Sequence, residues 1–353
     1  MIGPKRILVV SPVFGGSFAI ANYAARSLSA IGHDATLLDM RRFQATYGYA
    51  QSASDSCAFY RETHNYILRE AERTQADLII ALAQAPIKAE LLDTLRGAGI
   101  KTALWFVEHF QRFQSWKAVA PLYDHVFTIQ RQPFIGRLRS LGVRHAAYLP
   151  LAAYEPLHQP CTPHEETSDR HRSEITFFGS PHRNRVSLFE ALADDNLALW
   201  GQGWDKIGGM LTQHVRDGAI YLDDIVERRI YCGTKIVLNP HSTHPAEEIR
   251  DFVNPRTFVA ASCGAFQLID PRTLLAEHYR IDSEIVCFDS VQELREKVKY
   301  YLHHADERRA IAHAAMERTR RDHSYRQRMA TLVEHVYGQE AVYGQEAQPG
   351  NAG

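Results

Sequence analysis

The sequence of 353 residues lacks the long apolar runs that signal peptides and membrane spans require. Its first apolar run, "ILVV" after Arg6, is soon broken by "SPVFGG" and is too short for either segment. The five cysteines are scattered and have no CxxC spacing, which argues for a reducing compartment and against a zinc site. We therefore expect a cytoplasmic protein without a transmembrane segment.

The sequence also has almost no net charge, because 40 Lys and Arg residues oppose 41 Asp and Glu residues. This balance gives no general attraction to nucleic acids or anionic membranes, so neither is an expected partner. An HxxH pair, His241 and His244, is present without a nearby Cys or acidic residue to complete a ligand set. We expect no metal site, and the composition specifies no oligomeric state.

Short apolar runs alternate with helical patterns along most of the chain. The first half contains "RILVVSPV", "DATLLDM", "DLIIALA", "KTALWFV", "DHVFTI" and "HAAYLP", and the second contains "ITFFGS", "LALWG", "KIVLNPH", "AFQLID" and "EIVCF". Continuous apolar runs of this length are typical of parallel strands covered on both faces. The alternation with helices predicts an α/β protein with two Rossmann-like, doubly wound domains facing each other across a cleft.

Composition sets the predicted domain boundaries. We predict a first domain over residues 1–150, a linker over 151–174, a second domain over 175–322, a C-terminal helix over 323–338 and a disordered tail over 339–353. The linker is rich in Pro, His, Thr and charge, and the tail repeats a short unit before ending in Gly, Pro and Asn. Ligands of such domains bind at the carboxyl ends of the strands.

In each half of the chain, one glycine-containing loop follows the first strand. Gly15, Gly16 and Ser17 precede the first helix, where exposed amides suit an anion or a sugar hydroxyl; the alternative is a plain tight turn.

In the second half, Gly179 and Ser180 precede a helix that begins near Arg183 and Arg185. Cations beside a helix N-terminus predict a diphosphate site, and the alternative is a solvated basic turn.

A Glu and a His follow the strand "KTALWFV". Glu108 and His109 lie at its carboxyl end, where α/β enzymes place catalytic groups, so either is a candidate general base. The alternative for each is a structural role at the start of the next helix. In "KIVLNPHSTHP", Lys235 and Asn239 also lie around a strand end.

Several segments together resemble the CgeB-type (spore-maturation) glycosyltransferases, which have a GT-B fold and a group-1-like C-terminal domain. The resemblance rests on "TALWFVEHFQRFQSWKAVAPLYDHVFTIQR", "YLPLAA", "ITFFGSPHRNR", "KIVLNPHST", "NPRTFVAASCGAFQLID" and "YYLHHADERRAIAHAAMERTRRDHSYRQRM". It implies transfer of a hexosyl group from a nucleotide diphosphate sugar to an acceptor hydroxyl of a glycan, protein or small molecule. It also implies that the last helix crosses back to the N-terminal domain.

The resemblance further implies how the substrates are held. The C-terminal domain would bind the donor and the N-terminal domain the acceptor, with no metal and no cofactor in the chemistry. Side chains and helix dipoles would neutralise the leaving diphosphate. The residues expected in these roles are Arg183, Arg185 and Lys235 for the diphosphate, and Asn254, Arg256 and Gly264 for the nucleotide pocket, with Glu108 as the base and His109 behind it.

The chain departs from the family pattern at Val259. Related transferases carry a Glu directly after the Phe of "RTF", where a carboxylate would bind the donor ribose hydroxyls. We expect Val259 to face the ribose without bonding to it, which weakens the donor site. The same feature favours the alternative, a degenerate GT-B protein that binds a nucleotide sugar or acts as a scaffold without turnover.

Overall fold

Two compact units, each built on one parallel six-stranded sheet, make up the computed structural model. The structure describes residues 2–49, 53–162, 169–193, 196–218, 223–243 and 250–343. The first unit comprises the chain up to Pro150 and again from Tyr325 onward, and the second spans Leu151–Ser324. No helix in the described ranges is long and apolar enough to cross a membrane.

The first unit alternates strands and helices as the sequence predicts. Its elements are β1 (Arg6–Val10), α1 (Ser17–Ala30), β2 (Asp34–Leu38), α2 (Gln44–Tyr49), α3 (Ala53–Thr74), β3 (Leu78–Leu82), α4 (Ala89–Gly97), β4 (Lys101–Phe106), α5 (Trp116–Val119), β5 (His125–Thr128), α6 (Phe134–Ser140) and β6 (His145–Tyr148). The strand order is β2-β1-β3-β4-β5-β6, with every pair parallel. All five residues of β3 are buried, because neighbouring side chains point to opposite faces and both faces are covered.

The second unit repeats this plan. Its elements are β7 (Ser173–Phe178), α7 (Arg183–Glu190), β8 (Leu197–Trp200), β9 (Val215–Asp217), α8 (Asp224–Gly233), β10 (Thr234–Asn239), α9 (Pro255–Ser262), β11 (Gln267–Ile269), α10 (Leu275–His278), β12 (Val286–Cys287), α11 (Val291–His303) and α12 (Ala305–Asp322). The strand order is β12-β11-β10-β7-β8-β9, again all parallel. The predicted pair of doubly wound domains is confirmed.

The chain returns to the first unit through α13 (Tyr325–Tyr343). Tyr325 packs against Tyr23 of α1 with ring centroids 5.3 Å apart, and the Tyr337 hydroxyl donates to the Asp77 carbonyl at 3.2 Å. The helix starts two residues later than the 323–338 predicted for it and continues five residues into the predicted tail. Residues 344–353 of that tail lie outside the described ranges.

The predicted linker is wrong at its start. Leu151, Ala153 and Tyr154 are buried in the second unit, and the Ala153 amide donates to the His323 carbonyl at 2.9 Å. His158 is also buried, and its Nδ1 accepts from the Tyr154 amide at 3.0 Å. The many Pro and His residues of this segment predict an exposed linker, but these side chains are buried in the second unit. Residues 163–168 of the predicted linker are not among those described.

The strand orders locate the places where ligands bind in such sheets. The chain reverses direction across the sheet between β1 and β3 in the first unit and between β7 and β10 in the second. At these switch points the connections leave the carboxyl edge in opposite directions and open a crevice. The loops after β1 and β3, and those after β7 and β10, border these crevices, and the loop after the neighbouring β4 carries Glu108 and His109.

Candidate functional site

Asn239 organises the switch point of the second unit. It is the last residue of β10 and is fully buried. Its Nδ2 donates to Thr257 Oγ1 at 3.0 Å and to Gln267 Oε1 at 2.9 Å. Its Oδ1 accepts from Asn254 Nδ2 at 2.9 Å and from Arg256 Nη1 at 3.0 Å. All the hydrogen-bonding capacity of this amide is therefore used to fix the start of α9 against the end of β10.

Arg256 lies beside the loop that follows β7. Its Nε donates to the Phe178 carbonyl at 2.8 Å, and its guanidinium lies 4.6 Å from the Phe177 ring centroid. Gly179 has a φ of 146°, and a Cβ there would overlap Arg256 Nη2, so only glycine fits this position. Within the described part of the chain, no carboxylate lies within ion-pair distance of Arg256. The nearest acidic influence is electrostatic, since burial raises the pKa of Glu227 and the charge of Arg256 opposes this rise without a direct ion pair.

The His241–Asp270 pair holds the N-terminus of α9. The Asp270 Oδ1 accepts from the His241 amide and from its Nδ1, each at 2.7 Å, while Nε2 accepts from the Asn254 amide at 3.0 Å. Burial lowers the pKa of His241 to about 4, so the ring is neutral with its proton on Nδ1. Although burial opposes it, the contact with His241 and the charge of Arg272 hold the pKa of Asp270 well below its usual range.

This pairing bears on the HxxH motif. Both ring nitrogens of His241 are engaged, and His244 lies outside the described residues. Across the ranges that the structure describes, no three His, Cys, Asp or Glu side chains are arranged to hold a metal ion.

The two arginines around α7 have different surroundings. Arg185 is buried, and it donates from Nε to the Pro240 carbonyl at 3.1 Å and from Nη1 to the Ser180 carbonyl at 3.0 Å. It therefore positions the Gly179–Ser180 loop instead of facing a diphosphate, which corrects its predicted role. Arg183 is the exposed first residue of α7, and its side chain makes no hydrogen bond or ion pair with any described residue, so it stays a candidate.

Two predicted donor-binding residues lie at the wrong end of their elements. Lys235 is the second residue of β10 and forms an ion pair with Glu174 at 2.6 Å, about 13 Å along the strand from Asn239. Gly264 has a φ of 74° in the turn between α9 and β11, about 12 Å along the helix from Asn254. Both lie at the amino edge of the sheet, so the donor roles predicted for them are wrong.

Val259 belongs to the core. It is 6% exposed and packs in an apolar cluster with Phe178, Trp200 and Tyr231, on the face of α9 that lies against the sheet. The prediction that this side chain faces a ligand ribose is therefore wrong.

Sequence reasoning missed Glu227 near the same cluster. This residue lies on α8 and is 9% exposed, and its Oε1 accepts from the Tyr231 hydroxyl at 2.5 Å. Burial raises the pKa of Glu227 to about 7, while the positive charge of Arg256 acts in the opposite direction. The signal was available, because Glu227 shares a helix face with the apolar Ile230 and with Tyr231, three and four residues later.

In the first unit, the loops after β1 and β3 both contact Glu108, which follows β4. Ser17 Oγ donates to Glu108 Oε1 at 3.1 Å, and Gln84 Nε2 donates to the same oxygen at 3.2 Å. Gly15 has a φ of 94°, with open space around it, and Gly16 precedes the first residue of α1. Burial raises the pKa of Glu108, although these hydrogen bonds lower it, so the carboxyl is a stronger base than an exposed one.

His109 is buried beside Phe110, with ring centroids 5.7 Å apart, and its Nδ1 accepts from the Gln111 amide at 3.3 Å. Its predicted role behind Glu108 stays a prediction.

A cavity of about 500 Å³ adjoins Glu108, because Gln84 both lines the cavity and donates to this carboxyl group. Its walls include Tyr60, Trp116 and Lys88, whose Nζ lies 4.5 Å from the Tyr60 ring centroid. The volume is in the range of small-molecule sites, and the mixture of flat aromatic walls and a few polar groups is typical of them.

Two sequence comparisons relate this chain to known proteins. The family described as glycosyl transferase-like matches residues 183–334. The chain is similar to spore protein CgeB of Bacillus subtilis (strain 168), with 25% identity over 264 residues, which cover 71% of this chain and 80% of that protein. These matches confirm the resemblance inferred from the sequence.

Solved structures share the fold at low identity. Sucrose-phosphate synthase from Thermosynechococcus elongatus superposes with a TM-score of 0.67 at 11% identity, covering 97% of this chain and 100% of that chain. Anabaena HepE in complex with UDP and glucose gives 0.64 at 14% identity, covering 94% and 99%. The fold common to these proteins is GT-B.

Proposed function

We propose that this chain, a glycosyltransferase of the GT-B fold similar to the CgeB type, moves a hexosyl group from a nucleoside diphosphate sugar to an acceptor hydroxyl without a metal ion. The observation that carries the proposal is Arg256. Its cation is fixed at the carboxyl edge between β7 and β10, beside the N-terminus of α9, and no carboxylate among the described residues forms a direct ion pair with it. The binding of UDP by the similarly folded HepE supports this assignment.

The diphosphate fits this edge on electrostatic grounds. A guanidinium at a helix N-terminus is unfavourable by itself, because the helix dipole already places positive charge there. The helix dipole and the Arg256 guanidinium both attract a bound diphosphate. Arg183, at the start of α7, offers a second cation, since its side chain has no partner among the described residues. Each charge-assisted hydrogen bond contributes about 1.5–3 kcal/mol, so the two arginines neutralise the leaving diphosphate without a metal ion.

Glu108 supplies the base. In the proposed reaction the acceptor oxygen forms a bond with the anomeric carbon, the bond from that carbon to the diphosphate oxygen breaks, and the acceptor proton passes to Glu108. The raised pKa of Glu108 brings it closer to neutrality, where a carboxylate is an effective general base. The cavity next to Gln84 holds the body of the acceptor.

The second candidate is a nucleotide-sugar-binding protein without turnover. Val259, where related transferases carry Glu, is the observation that favours it, because this segment offers no carboxylate to the ligand.

Calorimetry and product assays separate these functions. We expect the wild type to bind UDP, GDP or ADP and to release that nucleotide from its sugar in the presence of EDTA. Arg256→Met should abolish nucleotide binding, whereas Arg172→Met, an exposed arginine just before β7, should not change it. Glu108→Gln should lower turnover and leave nucleotide affinity intact.

Three results would contradict parts of the proposal. Nucleotide binding without any turnover selects the binding protein. Turnover that EDTA abolishes and manganese restores excludes the metal-free mechanism. Equal nucleotide affinity in wild type and Arg256→Met removes the donor site from this edge.

A further inference from the structure

We propose that Glu227 accepts hydrogen bonds from the ribose hydroxyls of the bound nucleoside diphosphate. This inference rests on the proposed function, since it assumes that a nucleoside diphosphate occupies the edge beside Arg256. It assigns to α8 a ligand contact that the sequence motifs do not indicate.

The position of Glu227 follows from the direction of α8. The helix ends at Gly233 and β10 begins at the next residue, so the C-terminus of α8 lies at the amino edge of the sheet. Its first turn, which contains Glu227, therefore lies toward the carboxyl edge, where β7 ends just before Gly179 and β10 ends at Asn239. The charge of Arg256 acts on Glu227, which agrees with this placement.

One oxygen of the carboxyl group remains open to a ligand. Oε1 accepts from the Tyr231 hydroxyl, and no other described residue forms a hydrogen bond with the Glu227 side chain. Oε2 has no hydrogen-bond partner among the described residues, and the residue keeps 9% of its surface exposed. A carboxyl oxygen that is nearly buried, reachable and without a hydrogen-bond partner is suited to a donor on a ligand.

The chemistry at this oxygen selects the part of the ligand. A phosphate would be repelled by the carboxylate, and Arg256 already offers the cation for it. Neutral hydroxyl donors satisfy the carboxylate without repulsion. Tyr231, which donates to Oε1, belongs to a buried apolar cluster, so few polar partners lie nearby and a hexose, with hydroxyls on most of its ring, would leave several unpaired. Ribose, joined directly to the diphosphate, is therefore the expected partner.

The test compares nucleotides that differ only in the ribose. UDP and 2′,3′-dideoxy-UDP, with the GDP and ADP pairs in parallel, are titrated calorimetrically into the wild type, Glu227→Gln and Glu190→Gln. Glu190 is an exposed residue at the end of α7 and serves as the matched control. We expect the wild type and the control to bind the dideoxy nucleotide about tenfold more weakly or worse, as for loss of a charge-assisted hydrogen bond.

In Glu227→Gln, the penalty for removing the hydroxyls should largely disappear, because the variant has lost the charge that the hydroxyls contact. Tyr231→Phe, which removes the donor to Oε1 and leaves the carboxyl in place, should keep the penalty and thereby exclude a merely structural effect.

The outcomes separate this inference from the proposed function. If Glu227→Gln keeps the full penalty, or weakens both nucleotides equally, the ribose contact is refuted while the donor site stands. UDP-glucose is titrated alongside UDP, and if Glu227→Gln changes only the affinity difference between these two ligands, the contact is to the hexose and the inference is also overturned. If no nucleoside diphosphate binds the wild type, the proposed function itself fails.

Discussion

A single methyl group at Gly179 should displace Arg256. In Gly179→Ala the new Cβ would overlap the Nη2 atom of Arg256 and would lie 3.0 Å from the Phe177 ring. The guanidinium cannot stay in place, because it is held between the Phe178 carbonyl and Asn239 Oδ1. We expect it to leave at least one of these two partners.

Two costs add up in this variant. An alanine at positive φ costs about 1–2 kcal/mol, and the loss of one hydrogen bond from a charged group costs about 1.5–3 kcal/mol. The free energy of unfolding of the second unit should therefore fall by about 2.5–5 kcal/mol. Nucleoside diphosphate affinity should fall by tenfold or more, since the displaced cation no longer faces the diphosphate.

Gly208→Ala is the matched control, because Gly208 also has positive φ, at 67°, but a Cβ there meets nothing within 4 Å. Thermal and urea unfolding should show only the backbone cost of about 1–2 kcal/mol for this control. In an Arg256→Met background, Gly179→Ala should cost less than in the wild type, because the charged group is gone. Equal losses for the two glycine variants, or strict additivity with Arg256→Met, would refute the steric coupling.

Other changes test the remaining assignments. Lys235→Ala should leave nucleotide affinity unchanged and lower stability by no more than about 1 kcal/mol, as for an exposed ion pair; weaker nucleotide binding would return Lys235 to the donor site. Val259→Glu should lower the free energy of unfolding by at least about 3 kcal/mol in urea titrations without tightening nucleotide binding, since it buries an unpaired charge; tighter binding would contradict the core assignment. For Glu227, a folded pKa of about 7 against an unfolded value of 4.5 means that the neutral form stabilises the fold below pH 4.5 and that this stabilisation is lost as the pH rises through 7. As the pH rises from 4.5 to 8, the free energy of unfolding of the wild type should therefore fall by about 3 kcal/mol relative to that of Glu227→Gln. Parallel pH profiles of the two proteins would show that Glu227 does not titrate in this range.

The fold was predictable because its signals are local and repeated. Continuous apolar runs such as "LIIAL" mark strands buried on both faces, and helical patterns between them imply parallel connections. Once the sheets are parallel, every strand ends at the same edge, and the loops at Gly15 and Gly179 are expected there. The linker failed for the opposite reason, because the burial of Leu151 and His158 depends on distant partners that composition does not reveal.

Within the site, the direction of each element decided which predictions survived. Asn239 and Arg256 lie at the carboxyl edge because one ends a strand and the other begins a helix. Lys235 lies near the other end of β10 and Gly264 just beyond the other end of α9, a distinction that a motif read as one block conceals. The sequence did not point to Glu227, because its hydrogen-bond partner Tyr231 lies on the same helix. Glu227 comes near Arg256 only when α8 and α9 pack on one face of the sheet.

The valine at position 259 and the carboxyl group at Glu227 are physically linked. Tyr231, which donates to Glu227, packs in the same apolar cluster as Val259. A second carboxylate at position 259 would thus lie near the first, and two like charges in a poorly solvated site raise each other's pKa and destabilise the fold. Only one of the two helices can therefore supply an acid here without a penalty. Valine on α9 is compatible with a working donor site when α8 supplies the carboxylate, so Val259 alone does not identify a protein that has lost its activity.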